Sequence, residues 1–191
     1  MEASDDDLIQ NTLRGDESAF ATLMGRYLTP VYSFIRTLTG NTEDAEDIAQ
    51  ESLFKAWKNL KRFKTGASFK TWLFSIARNT AIDYARKKKP LLFTELTRPL
   101  ADEDFEHHLP SMDESIEKSI DRSIEIENLN TYLEGLSTEH REVLTLHYRE
   151  ELTLQEISQV LKLPLNTVKS RDRRALKALE KALAPKSALL P

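Results

Sequence analysis

The chain has 191 residues, 40% of them hydrophobic and 30% charged, with a formal net charge of -4 and no cysteine. This length predicts one or two domains, at roughly 150 residues each. Without cysteine the chain has no disulfide, no thiolate nucleophile and no thiolate metal site. It contains no glycine-rich phosphate-loop motif and no apolar run near the roughly 18 residues of a membrane span. We expect a soluble, intracellular protein.

Charge is unevenly distributed along the chain. Residues 61–89 hold nine basic side chains and one acidic one, whereas residues 90–136 hold three basic and twelve acidic ones. Residues 1–60 are acidic, with five basic against eleven acidic side chains, and residues 137–191 are basic, with ten against seven. Two basic blocks separated by an acidic one predict two places that hold a polyanion.

The hydrophobic periodicity predicts helices along most of the chain and no strand. Ser4 and Asp16 are predicted N-caps. Thr29-Pro30 predicts the start of a separate helix, because proline favours the first helical position. Residues 91–110 show no sustained period and predict a linker. Further helices are predicted from Asn41 or Thr42 to about Leu60, from Phe69 to about Lys88, from Ser111 to Gly135, and from Thr138 to Arg149.

Residues 150–183 carry the clearest local signature. Thr153-Leu-Gln-Glu156 is a capping box that opens a short helix ending at about Leu161. After a tight turn, a second helix begins at Pro164 or Asn166, and the pattern leaves both open. Two short helices joined in this way predict a helix-turn-helix, whose second helix enters the major groove of DNA.

The second helix of this pair has an apolar stripe of Val168, Ala175 and Leu179, at 100° per residue. Its opposite face presents donors for phosphates and base edges. An ordinary solvated basic helix is the alternative, but the preceding capped helix and turn favour DNA binding. The residues of that face are Lys169, Ser170, Arg173, Arg174 and Lys177.

Asp172 falls inside the apolar stripe of the same helix. A buried carboxylate without a partner costs several kcal/mol, so we expect Asp172 to be paired or to lie at a rim. Arg141, His140 or Arg149 are the candidate partners. On this basis, Asp172→Leu should raise the melting temperature.

The central basic segment interleaves cations with aromatic residues, which suits contact with a phosphate backbone and unpaired bases. A core role is favoured for the aromatic rings of Phe69 and Trp72. Asn79 could contact a base edge through its amide. The cations that we expect to contact nucleic acid are Lys61, Lys64, Lys70, Arg78 and Arg86.

Asp47, Gln50 and Glu51 share one face of the acidic helix before this segment. A metal site or a general-acid role is the alternative, since Asp47 and Glu51 are one turn apart. Because no histidine lies nearby in the sequence, docking onto a basic partner helix is favoured.

Four segments, "DAEDIAQESLFKAW", "SFKTWLFSIARNTAIDYARKKK", "LSTEHREVLTLHYREELTLQEISQVL" and "NTVKSR", resemble the bacterial sigma factors of the extracytoplasmic-function (ECF) group, and they occur in that family's order. The resemblance implies an all-α fold of two helical domains. These are a region-two bundle at 8–89 and a region-four helix-turn-helix at 125–183. They are joined by residues 90–124, an acidic flexible linker and the start of a connecting helix. It implies no enzymatic activity, cofactor or metal.

The resemblance also implies roles by position. Asp47, Gln50 and Glu51 match the face that binds the clamp helices of the largest polymerase subunit. Lys61 to Ser68 matches the loop that captures a flipped base of the minus-ten element, with Asn79 beside it. The minus-thirty-five element would be contacted by the helix that holds Asn166, Thr167, Lys169, Ser170, Arg171, Arg173, Arg174 and Lys177.

The partners implied are core RNA polymerase, including its flap, promoter DNA in duplex and melted form, and an anti-sigma factor. The expected location is the bacterial cytoplasm, with the anti-sigma factor as a means of holding the chain at the membrane. A stand-alone helix-turn-helix regulator with a sensory first domain is the second hypothesis. Co-purification with core polymerase separates the two hypotheses.

Overall fold

We describe the computed structural model over residues 3–64, 66–88, 133 and 135–183. These residues form helices and turns, and no strand occurs among them, which confirms the all-α prediction. The predicted linker and the helix expected after Ser111 lie outside the described residues, apart from Leu133 and Gly135.

The first unit contains four α-helices and one 3-10 turn. Its predicted caps are confirmed, since the side chains of Ser4, Asp16 and Asn41 each accept a backbone N–H in the first turn of the helix that follows. Gly40 ends one helix in the left-handed conformation, with φ at 66°. The elements are α1 (Asp5–Leu13), α2 (Glu17–Thr39), α3 (Thr42–Asn59), the 3-10 turn Leu60–Arg62 and α4 (Phe69–Lys88).

The prediction that a separate helix starts at Pro30 is wrong, because α2 runs through Pro30 without a break. A proline inside a helix costs about 3 kcal/mol. The side chains of Leu23, Tyr27, Val31 and Phe34 lie on one stripe around this point, and all four are buried. Burial of each such side chain contributes about 1.5–3 kcal/mol, so the packing of the stripe outweighs the cost of the proline.

In the second unit, the structure describes three α-helices between residues 137 and 183. Ser137 caps the first of them, and Thr153 and Glu156 form the predicted capping box of the second. The last helix begins at Leu165, between the two starts that the sequence left open. The elements are α5 (Thr138–Leu144), which continues as the π-helical turn Thr145–Arg149, α6 (Leu154–Leu161) and α7 (Leu165–Leu183).

The two units lie against each other, and their buried side chains belong to one core. Helix α4 packs on α2 and α3 within its own unit and on α6 of the other, while α5 packs on α7 and on α2. The Phe34 and Phe74 rings meet at 5.3 Å between centroids inside the first unit. No helix of the described residues is long and apolar enough to cross a membrane.

Candidate nucleic-acid and partner interfaces

The acidic face of α3 is open to solvent. Asp47, Gln50 and Glu51 are all exposed, while Ile48 and Ala56 on the opposite side of the helix are buried. Glu51 forms an ion pair of 2.8 Å with Lys55, one turn further along. The three side chains predicted to share a face therefore do so, on a helix that the core holds in place.

An aromatic patch continues this face toward the end of α3, and the sequence analysis did not single it out. Phe54 and Trp57 are each 49% exposed, with 5.7 Å between their ring centroids. Phe20 of α2 lies 6.1 Å from the Trp57 ring, and the Lys58 ammonium lies 4.7 Å from the centroid of Phe54. Aromatic rings are enriched at protein interfaces and supply many of the residues that dominate binding there.

The sequence did contain a signal for this patch. Phe54 follows Asp47 by seven residues and Glu51 by three, so all three lie on one stripe of a helix. A phenylalanine and a tryptophan on a polar stripe have no role in the core of the same unit.

The segment between α3 and α4 places its cations outward and its aromatics inward. Lys61 and Lys64 are exposed. Phe63, Phe69 and Trp72 form a cluster with ring centroids 5.4–5.6 Å apart. Phe69 is buried in the core and Trp72 packs against it, which confirms the core role favoured for these two rings.

The remaining candidates of the first unit lie at different places around α4. Asn79 is half-buried, and Arg86 is exposed beside Asp83 at 2.9 Å. Ser68 accepts the backbone N–H of Thr71 at 3.2 Å and so caps the start of α4. Lys70 and Arg78 instead face the second unit, where both contact acidic residues.

Helix α7 presents the basic face that its sequence predicted. Lys169, Arg173, Arg174 and Lys177 are exposed, as is Asn166 near the start of the helix. Thr167 and Ser170 are half-buried, and the Ser170 hydroxyl donates to the Thr167 carbonyl at 2.9 Å. The opposite face is the apolar stripe, with Val168, Ala175 and Leu179 buried. The capped α6 and the turn at Lys162 hold this helix against the rest of the unit.

Arg171 differs from the other candidates on α7, because it is only 5% exposed. Its guanidinium lies 3.6 Å from the Glu139 carboxylate and 3.9 Å from that of Glu142. Burial lowers the pKa of Arg171, and the two acids oppose that shift. In this arrangement Arg171 braces α7 against α5, and its head group does not reach the exposed basic face.

Asp172 is 6% exposed and paired, as the helical wheel predicted. Its Oδ1 lies 3.0 Å from Nδ1 of His147. The partner prediction was wrong, because it named Arg141, His140 or Arg149.

The residue that does pair with Asp172 lies in the π-helical turn Thr145–Arg149. A π-helical turn holds more residues than an α-helical one, so residues after Leu144 do not follow 100° per residue. His147 turns toward α7 as a result. Arg149 donates to the Ser33 hydroxyl at 3.0 Å, and Arg141 donates to the Thr37 carbonyl at 3.1 Å, both in the other unit.

Comparison with known proteins agrees with this arrangement. The family described as Sigma-70 region 2 matches residues 23–90, and the family described as Sigma-70, region 4 matches residues 132–181. The ECF RNA polymerase sigma factor SigW of Bacillus subtilis (strain 168) is 34% identical over 92% of this chain and 94% of its own. The RNA polymerase sigma-H factor of Pseudomonas aeruginosa is 34% identical over 95% of this chain and 94% of its own.

The fold is also that of a solved sigma factor. The structure of RpoE from Bartonella quintana, crystallised with the anti-sigma factor NepR, covers 87% of this chain and 98% of its own, with a TM-score of 0.64 and 24% identity. The chain thus combines an exposed acidic and aromatic helix face with a basic helix-turn-helix, in the order and over the length of its relatives, and it belongs to the ECF RNA polymerase sigma factors of the sigma-70 family.

Proposed function

We propose that this sigma factor docks on core RNA polymerase mainly through the exposed face of α3, formed by Asp47, Gln50, Glu51, Phe54 and Trp57. The observation that carries the proposal is the exposure of two large aromatic rings directly beside an acidic and amide face. Acidic groups steer and align a basic partner helix, and buried aromatics supply most of the binding energy at an interface. The partner surface on polymerase is the clamp helices, with the flap as a second contact for residues 125–183.

The two nucleic-acid sites divide the work on promoter DNA. The basic face of α7 recognises duplex DNA at the upstream element through Lys169, Arg173, Arg174 and Lys177, together with the start of that helix. The segment from Lys61 to Ser68 and Asn79 bind the melted strand of the minus-ten element. The two nucleic-acid sites lie in different parts of the sequence, which supports a division of the chain into two domains. Residues 8–89 would bind polymerase and melted DNA, residues 125–183 would bind duplex DNA, and residues 90–124 would join them.

The chain promotes melting by binding and not by a chemical step. Binding a flipped base and single-stranded phosphates favours the open duplex over the closed one. The described residues that form these sites supply cations, amides and aromatics, which suit binding. The sigma factor thus acts without enzymatic activity of its own in the bacterial cytoplasm, and its exposed α3 face is also a surface that an anti-sigma factor would cover.

Co-purification with core polymerase tests the docking face. D47K/E51K and F54A/W57A should each abolish or strongly reduce retention of the chain by tagged core polymerase, while far-UV circular dichroism stays unchanged. The matched control is E17K/D83K, which carries the same change of charge as D47K/E51K away from the face and should be retained like the wild type. Normal retention of both α3 variants would overturn the docking assignment and favour the stand-alone regulator.

A further inference from the structure

Three acidic side chains of the second unit contact one face of α4. The Arg78 Nε donates to the Glu142 carboxylate at 2.5 Å. The Lys70 ammonium lies 3.4 Å from the Glu150 carboxylate and also donates to the Glu150 carbonyl. The Thr71 hydroxyl donates to the Glu156 carboxylate at 3.0 Å. Lys70, Thr71 and Arg78 lie within 100° of one another on the helix, so the three acids form a row along it.

Two of the three acids, and one of the two cations, are buried more deeply than the members of ordinary surface ion pairs. Glu142 and Glu150 are 2% and 4% exposed, and Arg78 is 9% exposed. Burial raises the pKa of the Glu142 carboxyl, and the guanidinium charges of Arg78 and Arg171 oppose that shift. Desolvated charges that are paired in this way contribute little net stability, although removal of one partner is costly. A buried row of this kind therefore fixes one arrangement of the two units more than it stabilises the chain.

The covered cations are two of those assigned to the minus-ten element. Lys70 and Arg78 are occupied by carboxylates, while Lys61, Lys64 and Arg86 stay exposed. The basic face of α7 is exposed in the same arrangement. In this arrangement the duplex-binding helix is accessible, whereas two of the five cations assigned to the melted strand are covered.

We propose that Glu142, Glu150 and Glu156 occupy the positions that phosphates of the melted strand take along α4, so that the free sigma factor is closed against single-stranded DNA. The proposal rests on the assignment of Lys70 and Arg78 to melted DNA. A carboxylate and a phosphate oxygen accept the same charge-assisted hydrogen bonds from ammonium and guanidinium groups. When the two units move apart, phosphates of the melted strand replace the three carboxylates along α4. The helix-turn-helix can bind duplex DNA both before and after this opening.

The variant E142Q/E150Q tests the row with little change of side-chain shape. It should bind a random-sequence single-stranded DNA pool about fivefold or more tightly than the wild type, because the covered state loses two of its charge pairs. Duplex binding is compared on the single variant E150Q, because Glu142 also lies 3.9 Å from Arg171 of α7. The affinity of E150Q for a random-sequence duplex pool should change no more than that of the control. The matched control E17Q/E151Q removes two negative charges from exposed positions. Fluorescence anisotropy measures all affinities on the full chain.

A distance measurement on the otherwise unchanged chain tests the proposal without the variant. The chain has no cysteine, so A21C/A182C places one label on an exposed position of each unit. Addition of the single-stranded pool should lengthen the distance between the labels, and addition of the duplex pool should not. A single-strand affinity of E142Q/E150Q equal to that of E17Q/E151Q, or single-strand binding with no change in label distance, would overturn the proposal. That failure would leave the docking result unchanged, since D47K/E51K would still lose retention by core polymerase. Failure of the proposed docking face would instead show as normal retention of D47K/E51K.

Discussion

Lys162 sits at the turn that joins the two helices of the helix-turn-helix, and its backbone is left-handed, with φ at 55° and ψ at 42°. Its backbone N–H donates to the Ser158 carbonyl and ends α6 there. The side chain is exposed. Replacing Lys162 by glycine therefore removes the strain of the Cβ atom and leaves the capping hydrogen bond in place.

The size of the effect follows from two opposing contributions. The left-handed conformation costs a residue with a Cβ roughly 1–2 kcal/mol. Glycine loses more backbone freedom on folding than other residues, which costs about 0.5–1 kcal/mol. We expect Lys162→Gly to raise the free energy of unfolding by about 0.5–1 kcal/mol, and each kcal/mol corresponds to roughly 2–4 °C in Tm for a chain of this size.

Urea and thermal unfolding, followed by far-UV circular dichroism, measure this difference. Lys162→Ala is the matched control, since it removes the same side chain but keeps the Cβ atom, and its stability should stay close to that of the wild type. Backbone strain at Lys162 would be ruled out if the alanine variant gained as much stability as the glycine variant, or if the glycine variant lost stability.

Three further predictions follow from individual contacts. Arg173→Ala should weaken binding to the upstream duplex by about 1–3 kcal/mol in a mobility-shift assay. Asn79→Ala should leave that binding unchanged and slow promoter opening. Equal loss of duplex binding in both variants would contradict the assignment of separate duplex and single-strand sites. Burial alone would raise the pKa of Glu156, but hydrogen bonds from Thr153 and Thr71 lower this pKa below the ordinary value of 4.5. The ionised Glu156 therefore stabilises the fold above pH 4.5, and this contribution is lost as the pH falls through the lowered pKa. Glu156→Gln should therefore reduce the loss of stability in acid, and an unchanged acid-unfolding curve would be evidence against this assignment. Asp172→Leu leaves His147 without its acceptor and should lower the free energy of unfolding by about 1 kcal/mol, opposite to the gain expected from the sequence. Addition of His147→Leu should restore most of this stability. If Asp172→Leu is instead more stable than the wild type, the pair is net unfavourable.

Local patterns predicted most of the fold. Caps and periodicity depend on residues within a few positions of each other, so Ser4, Asp16, Ser137 and Thr153 could be assigned from the sequence alone. The continuous helix through Pro30 could not, because its stability comes from packing of the apolar stripe against α3 and α4. The partner of Asp172 was missed for a related reason, since a π-helical turn is not visible in an apolar repeat.

The candidate sites were predicted in part. The exposed faces of α3 and α7 follow from helical spacing. Arg171 lies at 300° from Val168 on the wheel, outside the basic face. Its assignment to the minus-thirty-five element came from the resemblance and not from spacing. The contact of Arg78 with Glu142 joins residues 64 positions apart, and it depends on how two units pack together, about which a single sequence is silent.

Run-off transcription with core polymerase tests the central claim most directly. Purified chain and core polymerase are incubated with a random promoter library, and transcripts are sequenced. We expect the chain to select a small set of templates that share an upstream and a minus-ten element. D47K/E51K should abolish all of these transcripts, and Arg173→Ala should change the preference at the upstream element. A transcript pattern identical to that of core polymerase alone would contradict this expectation.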